Sequence, residues 1–579
     1  MAMVRNGIMN KEKILIIEKF LLILFAVIIF YITMLSIFST SLLGEFVFEN
    51  GEINKEHTFF IEDNFILLLI CCMFVTGAGY FIHERIRKVN RKYAQYFCMV
   101  MVILLEVGFL LLTDIEPRDD QRELLMIASQ MRKGEFSAFA KGGYISACPH
   151  QAGMLLYLYI LTFIGGPGNY LLPQFLNILY LLGVYVCIAA ITKEIWGNNR
   201  VSEWTFVLSL SFVPIFFYTS FVYGTLPGLF FALLSVLCEL RFISTVKFRY
   251  AVCSAVFIST AIQFKSNYLV FFIAILGIAV LEGLRRTEKR EKKLFAGYIL
   301  IAIVIYLCSK GAVGLWIENI TGYPLNKGIP AIAYVVMGIQ DGKAAPGWWN
   351  FYNWNVYENN GYDYIKTTSA AVEDFLKQIR IFQRDIKYAI SFFVRKIASI
   401  WNNPTFEGLD ILKYREGNVV VGNVWGLSLV YGSLSRIITY YLNILHSFIL
   451  LGVGGWIIGR WRKIETKEMI CPLCFIGGFT FHIFWEAKCQ YTIPYFILLF
   501  PYTIYGYKYI CGKIKYEAGL VKINLRERKK VLKRICVLTL MLVFLFGVSR
   551  TNFFHNLIAL NENEQYYKEY ISIQKEQYP

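Results

Sequence analysis

The sequence predicts an all-α membrane protein that crosses the bilayer many times. Of its 579 residues, 56% are hydrophobic and only 17% are charged. Soluble domains have about 45–50% apolar and about 25% charged residues. The composition therefore excludes a soluble globular enzyme and a disordered or collagen-like chain. Aromatic residues make up 17% of the chain, which suits lipid-facing helices that end in aromatic belts.

The apolar runs predict about 12–14 transmembrane helices, since a bilayer core needs about 20 residues per helix. The runs lie near 20–43, 64–82, 94–113, 150–166, 169–192, 203–220, 226–242, 250–264, 267–283, 294–310, 438–458, 470–485, 491–511 and 534–549. Several runs are short enough to be half-helices or re-entrant segments. The first run is too long for a signal-peptide core, so no cleavable signal peptide is predicted.

The distribution of a formal net charge of +17 orients the helices by the positive-inside rule. The N-terminus and the loops 83–93, 284–293 and 512–534 are basic and are expected inside, while the acidic loop 44–63 is expected outside. The basic loops suit anionic lipid rather than nucleic acid, because no nucleic-acid-binding signature is present. The Ile- and Lys-rich composition favours a multi-pass protein of a bacterial plasma membrane over an organelle protein.

The chain between 149, which is expected outside, and 284, which is expected inside, poses a parity problem. It contains six apolar runs, although an odd number of crossings is needed. Either one run does not span the membrane, or 250–283 forms a single long or broken helix. The basic loop 241–249 favours the first solution and the continuity of the apolar residues favours the second, so both stay open.

The segment 114–149 follows the third apolar run and is expected at the outer face. After Asp119 and Asp120, apolar residues recur with helical spacing at Leu124, Ile127, Ala128 and Met131. This pattern predicts an amphipathic helix on the membrane surface, which Gly134 ends. The two aspartates are either a general base or substrate anchor at the mouth of the bundle, or simple helix caps.

The same segment resembles the first outer loop of GT-C-fold glycosyltransferases, especially protein O-mannosyltransferases and lipid A aminoarabinose transferases. The matching residues are Pro117, Asp119, Asp120, Met131, Gly134, Glu135, Lys141, Tyr144, Pro149, His150 and Gln151. The resemblance is most specific over 114–160. It implies a GT-C-like bundle with an amphipathic first outer loop and a larger outer-face domain.

The resemblance also implies a function. These enzymes move a sugar from a polyprenyl-phosphate donor at the outer face to an acceptor, here a cell-envelope glycan, a teichoic acid, a lipid or a protein. An inverting transfer needs a carboxylate to deprotonate the acceptor hydroxyl and cations to hold the phosphate. The family's catalytic Asp falls best on Asp120. The second acid of the family pair normally follows it, but here Gln121 follows and Asp119 precedes, which leaves the two aspartates as alternatives.

Candidates for donor binding stand at the outer ends of later helices. Lys488 is the first choice for the donor phosphate, with Glu486 as its orienting partner. Relatives carry an acid-x-Arg-Tyr-x-x-Pro element here, whereas this chain has Gln490-Tyr491-x-x-Pro494, so the role of Lys488 is inferred from proximity. Lys265 interrupts two apolar runs, and a Lys at membrane depth is costly unless it has a function. The other donor candidates are Lys141, His150, Gln151 and Tyr491; interfacial capping or snorkelling is the alternative for all of these residues.

The segment 347–364 is rich in aromatic residues, on whose faces sugars stack. We expect Trp348, Trp349 and Trp354 to bind the acceptor, the alternative being a buried platform against the membrane. Arg395 and Lys396, further along, are expected to be available to lipid phosphate.

From these observations we predict five domains. They are an N-terminal extra transmembrane hairpin (1–93), a GT-C-like catalytic module (94–310) with the first outer loop 114–149, an outer-face domain (311–437), C-terminal transmembrane helices (438–549) and an outer tail (550–579). The outer-face domain is predicted because 311–437 is far longer than a connecting loop.

No cofactor and no metal site are predicted. Six scattered histidines argue against a histidine site, and the CxxC pair Cys471 and Cys474 lies in an apolar run without a second pair. Glu116, Asp119 and Asp120 are the acids that would hold a divalent cation if one were used. Two other functions stay open: a transporter or flippase for lipid-linked glycan, which should show paired repeats and broken helices at the midplane, and an accessory protein without catalysis.

Overall fold

The structure is a computed structural model that describes residues 2–47, 53–85, 91–342, 344–412, 423–424, 427–428, 432–521, 547, 550–558, 567–569 and 571–572. Across these residues the chain is almost entirely helical, as predicted. Nine helices are long and apolar enough to cross a membrane, or up to 11 if two bent helix pairs each form one span. This is fewer than the predicted count. The run 250–264 forms a helix of only 17 residues, and the run 534–549 lies outside the described residues.

The N-terminal part combines helices with one β-hairpin. Its elements are α1 (Ala2–Phe38), β1 (Ser39–Val47), β2 (Ile53–Glu62), α2 (Phe65–Arg85) and α3 (Arg91–Thr113). The hairpin occupies the predicted acidic loop 44–63 and is antiparallel. Its backbone also bonds later segments: Ser41 N donates to Asn402 O at 3.2 Å, and Thr58 N donates to Ala344 O at 3.0 Å. Residues 86–90 of the basic loop 83–93 lie outside the described residues.

The first outer loop contains the amphipathic helix that its spacing predicts. The elements are α4 (Asp120–Arg132), α5 (Tyr144–Ala147) and α6 (Ala152–Gly165). The apolar face of α4 is buried and consists of Leu124, Ile127, Ala128 and Met131. Asp119 stands at the N-cap position, but its side chain makes no capping hydrogen bond. The capping interpretation therefore does not hold for Asp119.

Helix α6 does not cross the bundle, although its run was a candidate span. It joins the preceding helical segment at a bend of 97° and packs along α4. Just beyond its C-terminus, Gly168 N donates to Ser129 Oγ of α4 at 2.9 Å. Tyr170 OH donates to Asp114 Oδ1 at 2.7 Å. Both ends of α6 therefore lie beside the first outer loop.

This arrangement bears on the parity problem. The following elements are α7 (Leu171–Trp196), α8 (Asn199–Ser211), α9 (Val213–Phe217), α10 (Thr225–Thr245), α11 (Phe248–Phe264), α12 (Leu269–Arg285) and α13 (Lys289–Thr321). Helices α8 and α9 form one bent pair. If this pair and the short α11 each count as one crossing, α7 to α12 give five crossings, an odd number. Helices α11 and α12 are separate, broken at Lys265, rather than one long helix.

The rest of the chain forms a helical layer and three long helices. The layer contains α14 (Ala331–Gly338), α15 (Tyr352–Asn359), α16 (Tyr364–Arg384), α17 (Ile386–Trp401) and two short strands, β3 (Asn423–Val424) and β4 (Leu427–Ser428). The remaining helices are α18 (Gly432–Arg460), α19 (Ile470–Phe484), α20 (Ile493–Val521) and α21 (Asn552–Leu557). Most of the basic loop 512–534 and of the tail 550–579 lies outside the described residues.

The bundle has two chemically different ends. One end, which we call the site end, carries the hairpin, the first outer loop and the helical layer. At the other end, Thr466 and Arg285 both contact the buried Glu18 of α1, with the Arg285 guanidinium 3.5 Å from its carboxylate. This network ties α1 to the later helices, and α1 packs directly against α18 and α19.

Candidate active site

The predicted catalytic and donor-binding residues lie where apolar helices stop at the site end. Polar residues collect there because the backbone groups at helix ends need partners and because the apolar runs break. The segments are the start of α4, the start of α6, the segment 221–225 before α10, the break at Lys265 before α12, and the turn 485–492 between α19 and α20.

Asp120 and Asp119 differ sharply in their surroundings. Asp120 is the first residue of α4, and Tyr223 OH approaches its Oδ2 to 3.5 Å. The Asp119 side chain is 86% exposed, its only recorded ion pair is a 3.8 Å contact with Arg118, and its backbone φ is +50°. Both aspartates are exposed, but of the two it is Asp120 that contacts Tyr223 of the site.

Tyr223 connects Asp120 to the interior. Gln151, the buried residue just before α6, donates to the Tyr223 hydroxyl through a short hydrogen bond. Burial and then the nearby Asp120 carboxylate raise the pKa of Tyr223 well above its ordinary value. The phenol therefore stays protonated and is able to donate a hydrogen bond toward the carboxylate.

Lys265 lies over the Tyr223 ring. Its ammonium donates to Thr225 Oγ1 at 3.1 Å and lies 5.3 Å from the Tyr223 ring centre and 4.9 Å from that of Tyr491. Both are cation–π distances. Burial lowers the pKa of Lys265 to about 8, although several carboxylates nearby oppose the shift.

A small cavity of about 10 Å³ begins at this ammonium. Its lining residues are Thr225, Lys265, Asn267, Tyr268, Phe271, Gln490, Tyr491, Pro494 and Tyr495. The lining combines one cation, amides and hydroxyls with aromatic and apolar surface. Such a mixture suits a ligand with an anionic group and an apolar part.

Lys488, the first choice for the phosphate, is paired with two carboxylates. Its ammonium is 3.7 Å from Glu56 Oε1 of the hairpin and 3.9 Å from Glu407 Oε2. Burial alone would lower the pKa of Lys488, but Glu407, Glu56 and Glu486 together hold it above its ordinary value. The closest partners of Lys488 are thus Glu407 and Glu56, and not Glu486 as predicted.

Glu486 lies in the turn that follows α19. Burial raises the pKa of its carboxyl to about 7, against the opposing effect of Lys488. Beneath this turn, the buried Lys396 donates to the carbonyl oxygens of Gly338, Ile483 and Trp485, the last at 2.7 Å. Lys396 therefore fixes the ends of α14 and α19, and the expectation that it is available to lipid phosphate is wrong.

Two donor candidates of the first outer loop have few polar contacts in this structure. His150 is exposed and its ring lies edge-on to Tyr334, with 6.2 Å between the ring centres. Lys141 is exposed and lies near Asp363 of the helical layer. His150 adjoins Gln151 and so lies beside the site, whereas Lys141 lies beside the start of α16.

The three predicted acceptor tryptophans have different environments. Trp348 is buried, and its indole Nε1 donates to Ser399 Oγ at 2.8 Å. It therefore has no open face on which a sugar stacks. Trp349 is 44% exposed, and Trp354 is half-buried and stacks on Tyr144, with 6.3 Å between the ring centres.

Sequence reasoning missed four residues that the structure brings into the site: Tyr223, Thr225, Glu56 and Glu407. A signal existed for the first two, because they stand in the short polar interruption between two apolar runs, as Lys265 does. Glu56 and Glu407 lie in long segments with many acids, where spacing does not single out one carboxylate. Among the described residues, no three His, Cys, Asp or Glu side chains come together as a metal ion would require.

Comparisons with known proteins show a distant likeness to a solved structure. No family model matches the sequence, and no curated protein matches it. Among solved structures, the chain is similar to the oligosaccharyltransferase AglB of the archaeon Archaeoglobus fulgidus, solved with an inhibitory peptide and a dolichol-phosphate. The TM-score is 0.41 at 11% sequence identity, and the match covers 84% of this chain and 60% of AglB. The chain thus spans less than two thirds of that protein's length.

Proposed function

We propose that this protein is a GT-C-type glycosyltransferase. It moves a sugar from a polyprenyl-phosphate donor to an acceptor, with inversion, at the site end of the bundle. The observation that carries the proposal is the position of Tyr223, whose hydroxyl contacts the Asp120 carboxylate and whose ring lies under the Lys265 ammonium. A carboxylate at the hydroxyl of Tyr223 and a cation over its ring are the two groups that such a transfer needs.

Each group has a defined role in the proposed reaction. The Asp120 carboxylate takes the proton of the acceptor hydroxyl as that oxygen attacks the anomeric carbon. The bond from this carbon to the phosphate oxygen breaks, and the electron pair leaves with the polyprenyl phosphate. Lys265 stabilises the charge of the phosphate, and Gln151 and Tyr223 hold Asp120 in orientation. The exposed Trp349 and the half-buried Trp354 are the candidates for acceptor contact.

The chemistry of the residues that line the cavity, and not its volume, supports a lipid-linked donor. Lys265 and Asn267 offer polar contacts at one side, while Phe271, Pro494 and Tyr495 offer apolar ones. A phosphate at Lys265 would have its prenyl chain beside these apolar residues. Acceptors that fit the proposal are a cell-envelope glycan, a teichoic acid, a lipid or a protein.

The test is turnover of polyprenyl-phosphate-linked sugars by purified protein, with Asp120→Asn beside wild type. Asn keeps the shape of the side chain but accepts no proton, so we expect kcat to fall by about 10²–10⁴-fold. Asp119→Asn is the matched control. Its carboxylate is exposed and contacts only Arg118 among its recorded ion pairs, so we expect it to retain activity.

Other results would change the proposal in defined ways. Loss of activity in Asp119→Asn but not in Asp120→Asn would transfer the role of base to Asp119. Binding of lipid-linked sugar without turnover by wild type would favour a transporter or a non-catalytic accessory protein instead.

A further inference from the structure

We propose that Glu407 is a positioning residue that occupies Lys488 and thereby leaves Lys265 as the cation for the ligand's anionic group. This inference rests on the proposed function, in which that group is the phosphate of a polyprenyl donor. It differs from the sequence-based expectation, which gave the phosphate to Lys488.

The backbone around Glu407 is held in an unfavourable conformation. Phe406 has φ +49° and Glu407 has φ +60°, a left-handed region that residues with a side chain rarely adopt. The loop keeps this shape because the Phe406 ring packs against Phe496, with 4.9 Å between the ring centres, and its carbonyl accepts from Tyr218 OH at 2.7 Å. Strained backbone of this kind persists where the surrounding structure fixes it, and it clusters at functional sites.

The strained loop directs the Glu407 side chain inward. Its carboxylate is buried, and Oε1 accepts from Cys489 Sγ at 3.2 Å and from Gln490 N at 3.3 Å. The other oxygen faces the Lys488 ammonium at 3.9 Å. One carboxylate thus binds three successive residues, which fixes the turn from Lys488 to Gln490.

The two lysines near the cavity therefore differ in charge balance. An anion that approached Lys488 would meet Glu407 and Glu56, which already neutralise that ammonium and repel a second anion. In the described part of the chain, the recorded partners of the Lys265 ammonium are one hydroxyl and two aromatic rings. These partners carry no charge. The carboxylates of Glu407, Glu486 and Asp120 also act on Lys265, but among the described residues none is recorded within ion-pair distance of it. Lys265 lines the cavity whereas Lys488 does not. A single negative charge is thus drawn to Lys265.

The experiment measures binding of farnesyl phosphate to the full-length protein in detergent, with farnesol as the uncharged reference. Glu407→Gln keeps the length of the side chain and a carbonyl acceptor but removes the charge. This releases Lys488, so we expect affinity for farnesyl phosphate, relative to farnesol, to rise roughly fivefold to tenfold. With Glu407 intact, we expect Lys265→Met to abolish the preference for farnesyl phosphate over farnesol. We expect Lys488→Met to reduce that preference far less.

A double variant separates the charge effect from damage to the fold. In Glu407→Gln with Lys488→Met the gain in affinity should disappear, because the released cation is absent. We expect Lys265→Met to lower the affinity for farnesyl phosphate less in the Glu407→Gln background than in wild type. In that background Lys488 substitutes for Lys265. A purely structural role of Glu407 would instead lower affinity and melting temperature together.

Two results would overturn the inference, and they are distinguishable. If wild type prefers farnesyl phosphate but loses this preference in Lys488→Met, or if Glu407→Gln at unchanged melting temperature weakens binding, only the role of Glu407 is refuted. If neither wild type nor any variant prefers farnesyl phosphate to farnesol, the donor class of the proposed function is refuted together with it.

Discussion

Neighbouring residues of the same type carry different chemistry here because the backbone turns between them. Asp119 has a positive φ and an exposed side chain, while Asp120 begins a helix whose apolar face is buried. The turn sends one carboxylate to solvent and the other toward Tyr223. The sequence alone leaves the two as alternatives, since spacing does not report this rotation.

Glu486 should make stability depend on pH in a defined direction. The pKa of its carboxyl is about 7 in the folded protein against an ordinary value of 4.5, so the folded state holds a proton that the unfolded state releases. Between pH 4.5 and about pH 7 the free energy of unfolding falls as pH rises. Above about pH 7 the Glu486 carboxyl is ionised in both states, and the whole loss of stability is present. We expect Glu486→Gln to be more stable than wild type at pH 8, by on the order of 1–3 kcal/mol, and equal to it near pH 4.

Thermal unfolding of the detergent-solubilised protein across this pH range measures the effect. Glu373→Gln on α16 is the control, because that carboxylate is 71% exposed and should leave the pH profile of wild type unchanged. A Glu486→Gln curve parallel to wild type at every pH would show that the buried charge carries no such cost.

Single residues of the site were predictable where they break an apolar pattern. Lys265 and Tyr491 were identified in this way, and the structure brings both to one cavity. Gln151 was found through the resemblance of the loop. Glu407 was not predictable. Its role depends on a contact with Lys488, which is distant in the sequence, and on a strained turn that the residue composition does not indicate.

At the scale of elements, glycines determine how closely α18 and α20 pack. A Cβ atom on Gly506 would lie 1.8 Å from the Gly452 carbonyl oxygen. Small residues at such an interface let helix backbones approach, which is a main source of association within a bilayer. We expect Gly506→Ala to lower stability by about 1–3 kcal/mol, as overpacking of a tight core does.

Gly454 supplies the matched control on the facing helix. A Cβ atom there has no heavy atom within 4 Å, so Gly454→Ala should be neutral or slightly stabilising, since Ala favours the helix. Melting temperatures in one detergent compare the two variants. Equal losses of melting temperature in both variants would mean that the close approach of the two helices at Gly506 does not determine their stability.

Prediction at this scale succeeded for the amphipathic α4 and failed for the hairpin. The 3.6-residue period of α4 was visible because one face is buried and the other is polar. The hairpin has no comparable local signal, since its strands are stabilised partly by backbone bonds to Asn402 and Ala344, far along the chain.

At the scale of the whole molecule, α6 decides the topology. If both of its ends lie at the site end, a cysteine at Asn169 faces the same side as the first outer loop, and one at Asn199 faces the opposite side. We expect a membrane-impermeant maleimide to label Asn169→Cys on intact cells. Asn199→Cys should react only after permeabilisation, and wild type supplies the background of native cysteines.

The opposite pattern would mean that α6 crosses the membrane. Equal labelling at both positions would mean that α7 does not separate them. Between 149 and 284, charge counting left two solutions: one run that does not span, or one long or broken helix over 250–283. The described residues contain nine candidate spans, or up to 11 with the bent pairs, because hydropathy registers an apolar run and not the bend within it. The boundaries of the five predicted domains stay predictions.

The brevity of α11 has a consequence for the lipid around the protein. Its 17 residues extend about 26 Å, less than the roughly 30 Å thickness of a hydrocarbon core. Its neighbour α13 has 33 residues. A spanning helix this short is matched by a locally thinner bilayer, which would bring the lipid head groups beside α11 toward its end. That end is Lys265. A lipid phosphate would therefore reach the level of the ammonium by lateral diffusion in the bilayer and would not have to move outward along the membrane normal.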